Sequence, residues 1–121
     1  MRAILVVDDH KLLARVSCEV LQRQGYHAEC AFDPYEALAK FDGGKFDMLV
    51  TDYRMDGMSG LELAKLIRKK APGLPVIIVT GCLPTDQSDE VHAWIEKQDL
   101  YPALLDKIDF LLRDPRESPS A

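Results

Sequence analysis

Three runs of consecutive apolar residues, each closing on a polar side chain, constrain this chain more than any other feature of its sequence. Ile4-Leu5-Val6-Val7 leads into Asp8-Asp9, Met48-Leu49-Val50 into Thr51-Asp52, and Val76-Ile77-Ile78-Val79 into Thr80. A strand with one wet face alternates polar and apolar residues. A strand covered on both faces stays apolar, as these runs do. Strands are expected at residues 3–7, 26–30, 46–51, 75–79 and, with a weaker pattern, 92–96. Helical patterns lie between them. Leu12, Leu13, Val16, Val20 and Leu21 have helical spacing, and Gly25 can end that helix. Asp33-Pro34-Tyr35-Glu36 reads as a cap, a first-turn proline and a capping-box acid. Ser59-Gly60-Leu61-Glu62 is a second capping box, and residues 100–112 make a last amphipathic helix. Alternating strands and helices imply right-handed crossovers and a doubly wound parallel sheet, an α/β fold.

Composition narrows the function classes. The 121 residues suffice for one domain with a real core. A net charge of -5 argues against direct nucleic-acid binding, which needs a basic face. No apolar run approaches the roughly 20 residues of a membrane span, so no membrane partner is expected. The start, Met1-Arg2-Ala3-Ile4, enters a strand-like run at once and does not read as a signal peptide. Cys18, Cys30 and Cys82 are odd in number and lack CxxC spacing, which fits a reduced, cytoplasmic setting. They read as small core hydrophobes. His10, His27 and His92 lack metal-ligand spacing and read as surface or boundary residues. The tail at 113–121, polar and proline-containing, reads as disordered or as the start of a linker.

The polar residues then fall into one place. In doubly wound sheets, ligands bind outside the carboxyl ends of the strands where strand order reverses. Asp8, Asp9, Asp52 and Thr80 all stand at strand exits. Asp52 is therefore expected in a crevice and need not be buried. Two like unit charges about 4 Å apart cost about 4 kcal/mol at an effective dielectric near 20. Either some of these carboxyls protonate or a cation joins them. A hard, oxygen-rich site suits Mg²⁺. An aspartate there could attack phosphorus and form an aspartyl phosphate. The Thr80 hydroxyl and the Lys97 ammonium, at the end of the fifth strand, could hold the phosphoryl oxygens. Each residue also has a plainer reading: Asp8-Asp9 as loop acids or a helix cap, Asp52 as a turn, Thr80 as a strand end, Lys97 as a surface charge.

The segments "ILVVDD", "LVTDYRMDGMSGLEL", "PVIIVTG" and "WIEK", in this order and spacing, resemble the receiver domain of two-component response regulators over residues 3 to 112. The resemblance implies a (βα)₅ fold of flavodoxin-like strand order 2-1-3-4-5. It implies that Asp52 accepts a phosphoryl group from a sensor histidine kinase or a histidine phosphotransfer protein. Asp8, Asp9, Asp52 and the Arg54 backbone carbonyl would hold Mg²⁺. Thr80 and Lys97 would contact the phosphoryl group. Thr80 and Trp94 would move together on activation and so control an effector protein or output domain. Arg54 and Cys82 occupy positions that tune dephosphorylation, and a long Arg54 side chain could cover the phosphoryl group. On this reading the chain is no enzyme beyond phosphoryl acceptance and slow self-hydrolysis.

Four departures from the family pattern stand out. Gln98 replaces the proline that usually follows the lysine, so a trans peptide is expected, since a cis bond to a non-proline costs about 2.5–4 kcal/mol. The stretch between Gly81 and Val91 is short, polar and contains Pro84, so the helix of the fourth crossover should be shortened or irregular. Asp56 replaces a proline, leaving a competent Asp-Gly turn. His10 stands where relatives often carry an acid, and a partial positive charge there would weaken metal binding. The main rival reading is an atypical receiver that works as a phosphorylation-independent interaction module.

Overall fold

The three apolar runs become the central strands of the sheet. The structure, a computed structural model, describes residues 2–81 and 91–112, apart from the side chains of Asp99 and Pro102. Five strands, β1 (Ala3–Val7), β2 (His27–Ala31), β3 (Met48–Asp52), β4 (Val76–Thr80) and β5 (Ala93–Glu96), pair in parallel in the order β2-β1-β3-β4-β5. The described helices are α1 (Lys11–Arg23), α2 (Pro34–Gly43), α3 (Gly60–Lys70) and α4 (Leu100–Leu111), with a 3₁₀ turn at Lys97–Asp99 leading into α4. The expectation for the fourth crossover, the residue Cys82 and the tail at 113–121 lie outside the described residues.

Alternation along each strand splits the core in two. Ile4, Val6, Met48, Val50, Ile77 and Val79 point to the side where Cys18 and Leu21 of α1 and Leu104 and Ile108 of α4 pack. Leu5, Val7, Leu49, Val76 and Ile78 point to the other side, against Ala37 of α2 and Leu63, Ala64 and Ile67 of α3. Every residue of β3 and β4 is buried. This double cover is why the two strands carry no alternation. Each fully buried Leu or Ile side chain contributes about 1.5–3 kcal/mol.

The caps form largely as the sequence requires. The Asp33 carboxylate accepts from the Glu36 N–H at 2.7 Å, and the Ser59 hydroxyl accepts from the Glu62 N–H at 3.1 Å. Gly25 takes a positive φ of 95° where α1 ends, a conformation glycine adopts without steric cost. The cap of α1 was not foreseen. It is His10, whose Nδ1 accepts from the Leu13 N–H at 3.3 Å. The cap reading of Asp8-Asp9 therefore gives way, since the capping group is one residue further on.

Strand bounds shift by a residue or two from the expected ones. β3 begins at Met48 rather than Phe46 and runs on to include Asp52, which pairs with Val79. At the β5 edge, the Val76 N–H donates to His92 Nδ1 at 3.0 Å while the His92 N–H donates to the Val76 carbonyl at 2.8 Å. That double link starts the fifth strand. Among the described residues no peptide is cis, so Lys97 is followed by a trans bond to Gln98. No helix among them is long and apolar enough to cross a membrane.

Candidate functional site

Strand order reverses between β1 and β3, because the chain steps from β1 outward to β2 and then returns to the other side of β1. The crevice outside the carboxyl ends of these two strands is where a doubly wound sheet binds ligands. Asp8 follows β1, Asp9 comes next, and Asp52 ends β3. One carboxylate oxygen from each lies within 4.8 Å of the others, and this is the sole cluster of its kind among the described residues. Lys97, just after β5, sends its Nζ to 3.3 Å from Asp52 Oδ1.

The crevice position does not require burial, yet Asp52 is only 6% exposed. The strand extends through it, and the loop behind it closes in. The Gly60 N–H donates to the Tyr53 carbonyl at 2.7 Å, and the Tyr53 N–H donates to the Val79 carbonyl at 2.9 Å and to Asp52 Oδ1 at 3.0 Å. Oδ1 thus meets both the Tyr53 N–H and Lys97, while Oδ2 has no hydrogen bond among the described residues. Burial, above all, and then the neighbouring Asp8 hold the Asp52 carboxyl above its ordinary range, and Lys97 opposes them. Burial also raises Asp8, against the pull of the His10 N–H that donates to Asp8 Oδ1 at 2.9 Å.

These features test whether Mg²⁺ suits the site. The donors are three carboxylates on hard oxygen, close enough to share an ion, and two of them resist ionising without a positive partner. That donor set fits Mg²⁺, which favours carboxylates and keeps several waters. Lys97 supplies a single positive charge from a half-exposed position, too little to neutralise three acids.

The remaining expected residues divide. Thr80 ends β4, 3% exposed, on the α3 side of the sheet and one register step past the partner of Asp52. Arg54 is exposed and lines an open groove with Asp9, Met55 and Asp56, beside the acids but not bonded to them. Trp94 is half-buried in β5 on the α3 side, edge-on to Tyr53 with ring centroids 5.8 Å apart. Its indole Nε1–H is buried without a hydrogen-bond partner among the described residues. Cys82 lies outside the described residues.

Two residues at this site escaped the sequence reading. Tyr53 is the aromatic partner of Trp94, and its place directly after Asp52 was the available signal. Gly60 was read only as part of a capping box. A Cβ on it would lie 2.2 Å from the Asp52 carbonyl oxygen, so the backbone itself is in contact there. The "GMSG" spacing hinted at a tight return but not at its target.

Comparison with known proteins bears on this site. Residues 4–100 match the model of the response regulator receiver domain family. The chain is 33% identical over 114 residues to the chemotaxis protein CheY of Pseudomonas aeruginosa, covering 88% of this chain and 92% of that one. It is 35% identical over 81 residues to the sensory transduction protein RegX3 of Mycobacterium tuberculosis, covering 67% of this chain but 35% of that longer one. Among solved structures, the response regulator TrrA of Thermotoga maritima in complex with Mg²⁺-BeF superposes with a TM-score of 0.83 at 35% identity, covering 93% of this chain and all of that one. TrrA in complex with the histidine kinase ThkA gives a TM-score of 0.82 at 34% identity, covering 93% of this chain and 99% of that one.

Proposed function

The chain belongs to the response regulator receiver domains of two-component signalling, and from that premise we propose that it is a phosphorylation switch whose acceptor is Asp52. The observation that carries this reading is the convergence of Asp8, Asp9 and Asp52 within 4.8 Å, with Lys97 Nζ 3.3 Å from the Asp52 carboxylate. The donor is the phosphohistidine of a sensor histidine kinase or histidine phosphotransfer protein. An Asp52 oxygen forms the new bond to phosphorus as the N–P bond breaks. The histidine nitrogen leaves with the electron pair and later takes a proton.

Asp8, Asp9, Asp52 and the backbone carbonyl of Arg54 would hold Mg²⁺. Bound there, the ion supplies positive charge for the phosphoryl oxygens and offsets the mutual repulsion of the acids. Lys97 is the protein's own cation for those oxygens, a compact charge on a flexible stem. Without a phosphoryl group it rests on Asp52 and keeps the acceptor oriented. The Thr80 hydroxyl is the second donor. Drawing Thr80 toward the phosphoryl group would free space on the α3 side, where Trp94 packs on Tyr53. Trp94 in its present position leaves a buried N–H without a partner among the described residues, and an unpaired buried donor costs about 1–3 kcal/mol. A small gain at Thr80 can therefore shift the balance between two positions of the indole.

In this reading the domain is a signalling module, with self-dephosphorylation its sole turnover. The phosphorylated face would act on an effector protein or output domain. A cytoplasmic setting follows, since the kinase draws its phosphoryl group from ATP. The test is intact mass after treatment with Mg²⁺ and acetyl phosphate. One added phosphoryl group, absent in Asp52→Asn and absent without Mg²⁺, is expected, together with a change in Trp94 fluorescence. A folded protein that gains no phosphoryl group overturns the proposal and leaves a phosphorylation-independent interaction module.

A further inference from the structure

On the flank away from the acidic crevice, α1 and β2 bring two thiols together. Cys18, on the inner face of α1, is 5% exposed, while Cys30 in β2 is partly exposed, and both pack on the same core cluster. They line one open groove together with Arg15, Glu19 and Lys40. The two thiols lie close enough to act on each other electrostatically, and both cysteines are free. Lys40, in the same groove, donates its Nζ to the Cys30 carbonyl at 2.7 Å.

We propose that Cys18 and Cys30 are a redox-modification site, joining in a reversible intramolecular disulfide when the protein meets a hydroperoxide. Two free thiols lining one groove between α1 and β2 supply the placement from which such a bond can close. A soft metal ion is the competing use of a thiol pair, and it needs further ligands. Among the described residues no third His, Cys, Asp or Glu joins this pair in a metal-sized cluster. Burial, and then the adjacent Cys30, push the Cys18 thiol up to about 12, so it stays protonated at neutral pH. The accessible Cys30 is then the sulfur that meets the oxidant. Its thiolate takes the terminal oxygen of the hydroperoxide, becoming a sulfenic acid and releasing water or an alcohol. The Cys18 sulfur attacks that sulfur, the S–O bond breaks, and hydroxide leaves as water with the Cys18 proton. Two thiols are oxidised and one hydroperoxide is reduced.

The test treats the folded full chain with hydrogen peroxide, blocks the remaining thiols by alkylation and maps tryptic peptides by mass spectrometry. The expected product joins the peptides of residues 16–23 and 24–40, two hydrogens lighter than the separate pair. It should form at least about tenfold faster in the folded protein than in urea, because the fold holds the sulfurs in position. Dithiothreitol should restore both thiols. Alkylated Cys18 and Cys30 after peroxide, a bond to Cys82 or to a second molecule instead, over-oxidised Cys30 without a bridge, or equal rates in urea would each overturn the assignment. This outcome is independent of whether Asp52 is phosphorylated.

Discussion

Burial and the neighbouring Asp8 both push the Asp52 carboxyl upward, and Lys97 only partly offsets them. A carboxyl whose folded pKa lies above its unfolded value weakens the fold as pH rises through the folded value, because the unfolded chain ionises more readily. Replacing Asp52 by Asn should therefore stabilise the metal-free protein by about 1 kcal/mol near pH 7, the gain fading as pH falls toward about pH 4, because proton uptake removes the buried charge. Urea unfolding in the presence of a chelator, at both pH values, measures this. A loss of stability at neutral pH would mean that the Lys97 pair outweighs burial. Arg54 poses a kinetic question at the same scale. It is exposed and lines the groove beside Asp9, two residues from Asp52. Its long side chain can lie across the phosphoryl group and hinder water, so Arg54→Ala should shorten the phosphoryl lifetime several-fold. Decay of the phosphorylated mass after removal of the donor reads this directly, and an unchanged lifetime excludes a shielding role.

At the scale of elements, the β3–α3 connection decides how Asp52 is held. Ser59 caps α3, Gly57 takes a positive φ of 84°, and Gly60 lies against the Asp52 carbonyl. A methyl group at residue 60 would meet backbone, which has no rotamer to yield. Gly60→Ala should cost about 2–3 kcal/mol, in the range of overpacking. It should also weaken the Mg²⁺ response, since the end of β3 must move to make room. The thermal midpoint and the Mg²⁺ titration of Trp94 fluorescence report the two effects. A variant with native stability and native metal response would show that the loop gives way without moving β3. Gly25, in open space at the end of α1, needs its glycine for backbone conformation alone, a different reason for the same residue type.

For the molecule as a whole, the acidic cluster should make stability depend on a divalent cation. An ion that binds the folded state alone stabilises it by about 2.7 kcal/mol at one hundred times its dissociation constant. Addition of Mg²⁺ should raise the unfolding midpoint in proportion to the logarithm of its concentration, and Asp9→Asn should blunt the rise. Calorimetry across a Mg²⁺ series tests this, and a midpoint indifferent to Mg²⁺ in the folded chain would remove the metal from the reading. Cations attract the site over a distance as well, because the chain carries a net charge of -5.

The fold was legible in the sequence because its cause is local and periodic. Unbroken runs such as Ile77-Ile78-Val79 permit only a strand covered on both faces, and Asp33-Pro34 and Ser59-Gly60 announce their helices with groups that satisfy the first N–H donors. The positions of Asp8, Asp9, Asp52 and Lys97 at strand exits followed from the same pattern. What the sequence could not supply was distance between residues far apart along the chain. That Asp52 is buried, that Trp94 rests on Tyr53, that Gly60 touches the Asp52 carbonyl and that Cys18 and Cys30 line one groove depend on how helices settle on the sheet. Strand periodicity determines which face a side chain takes. Close packing of all the elements at once decides what it touches there.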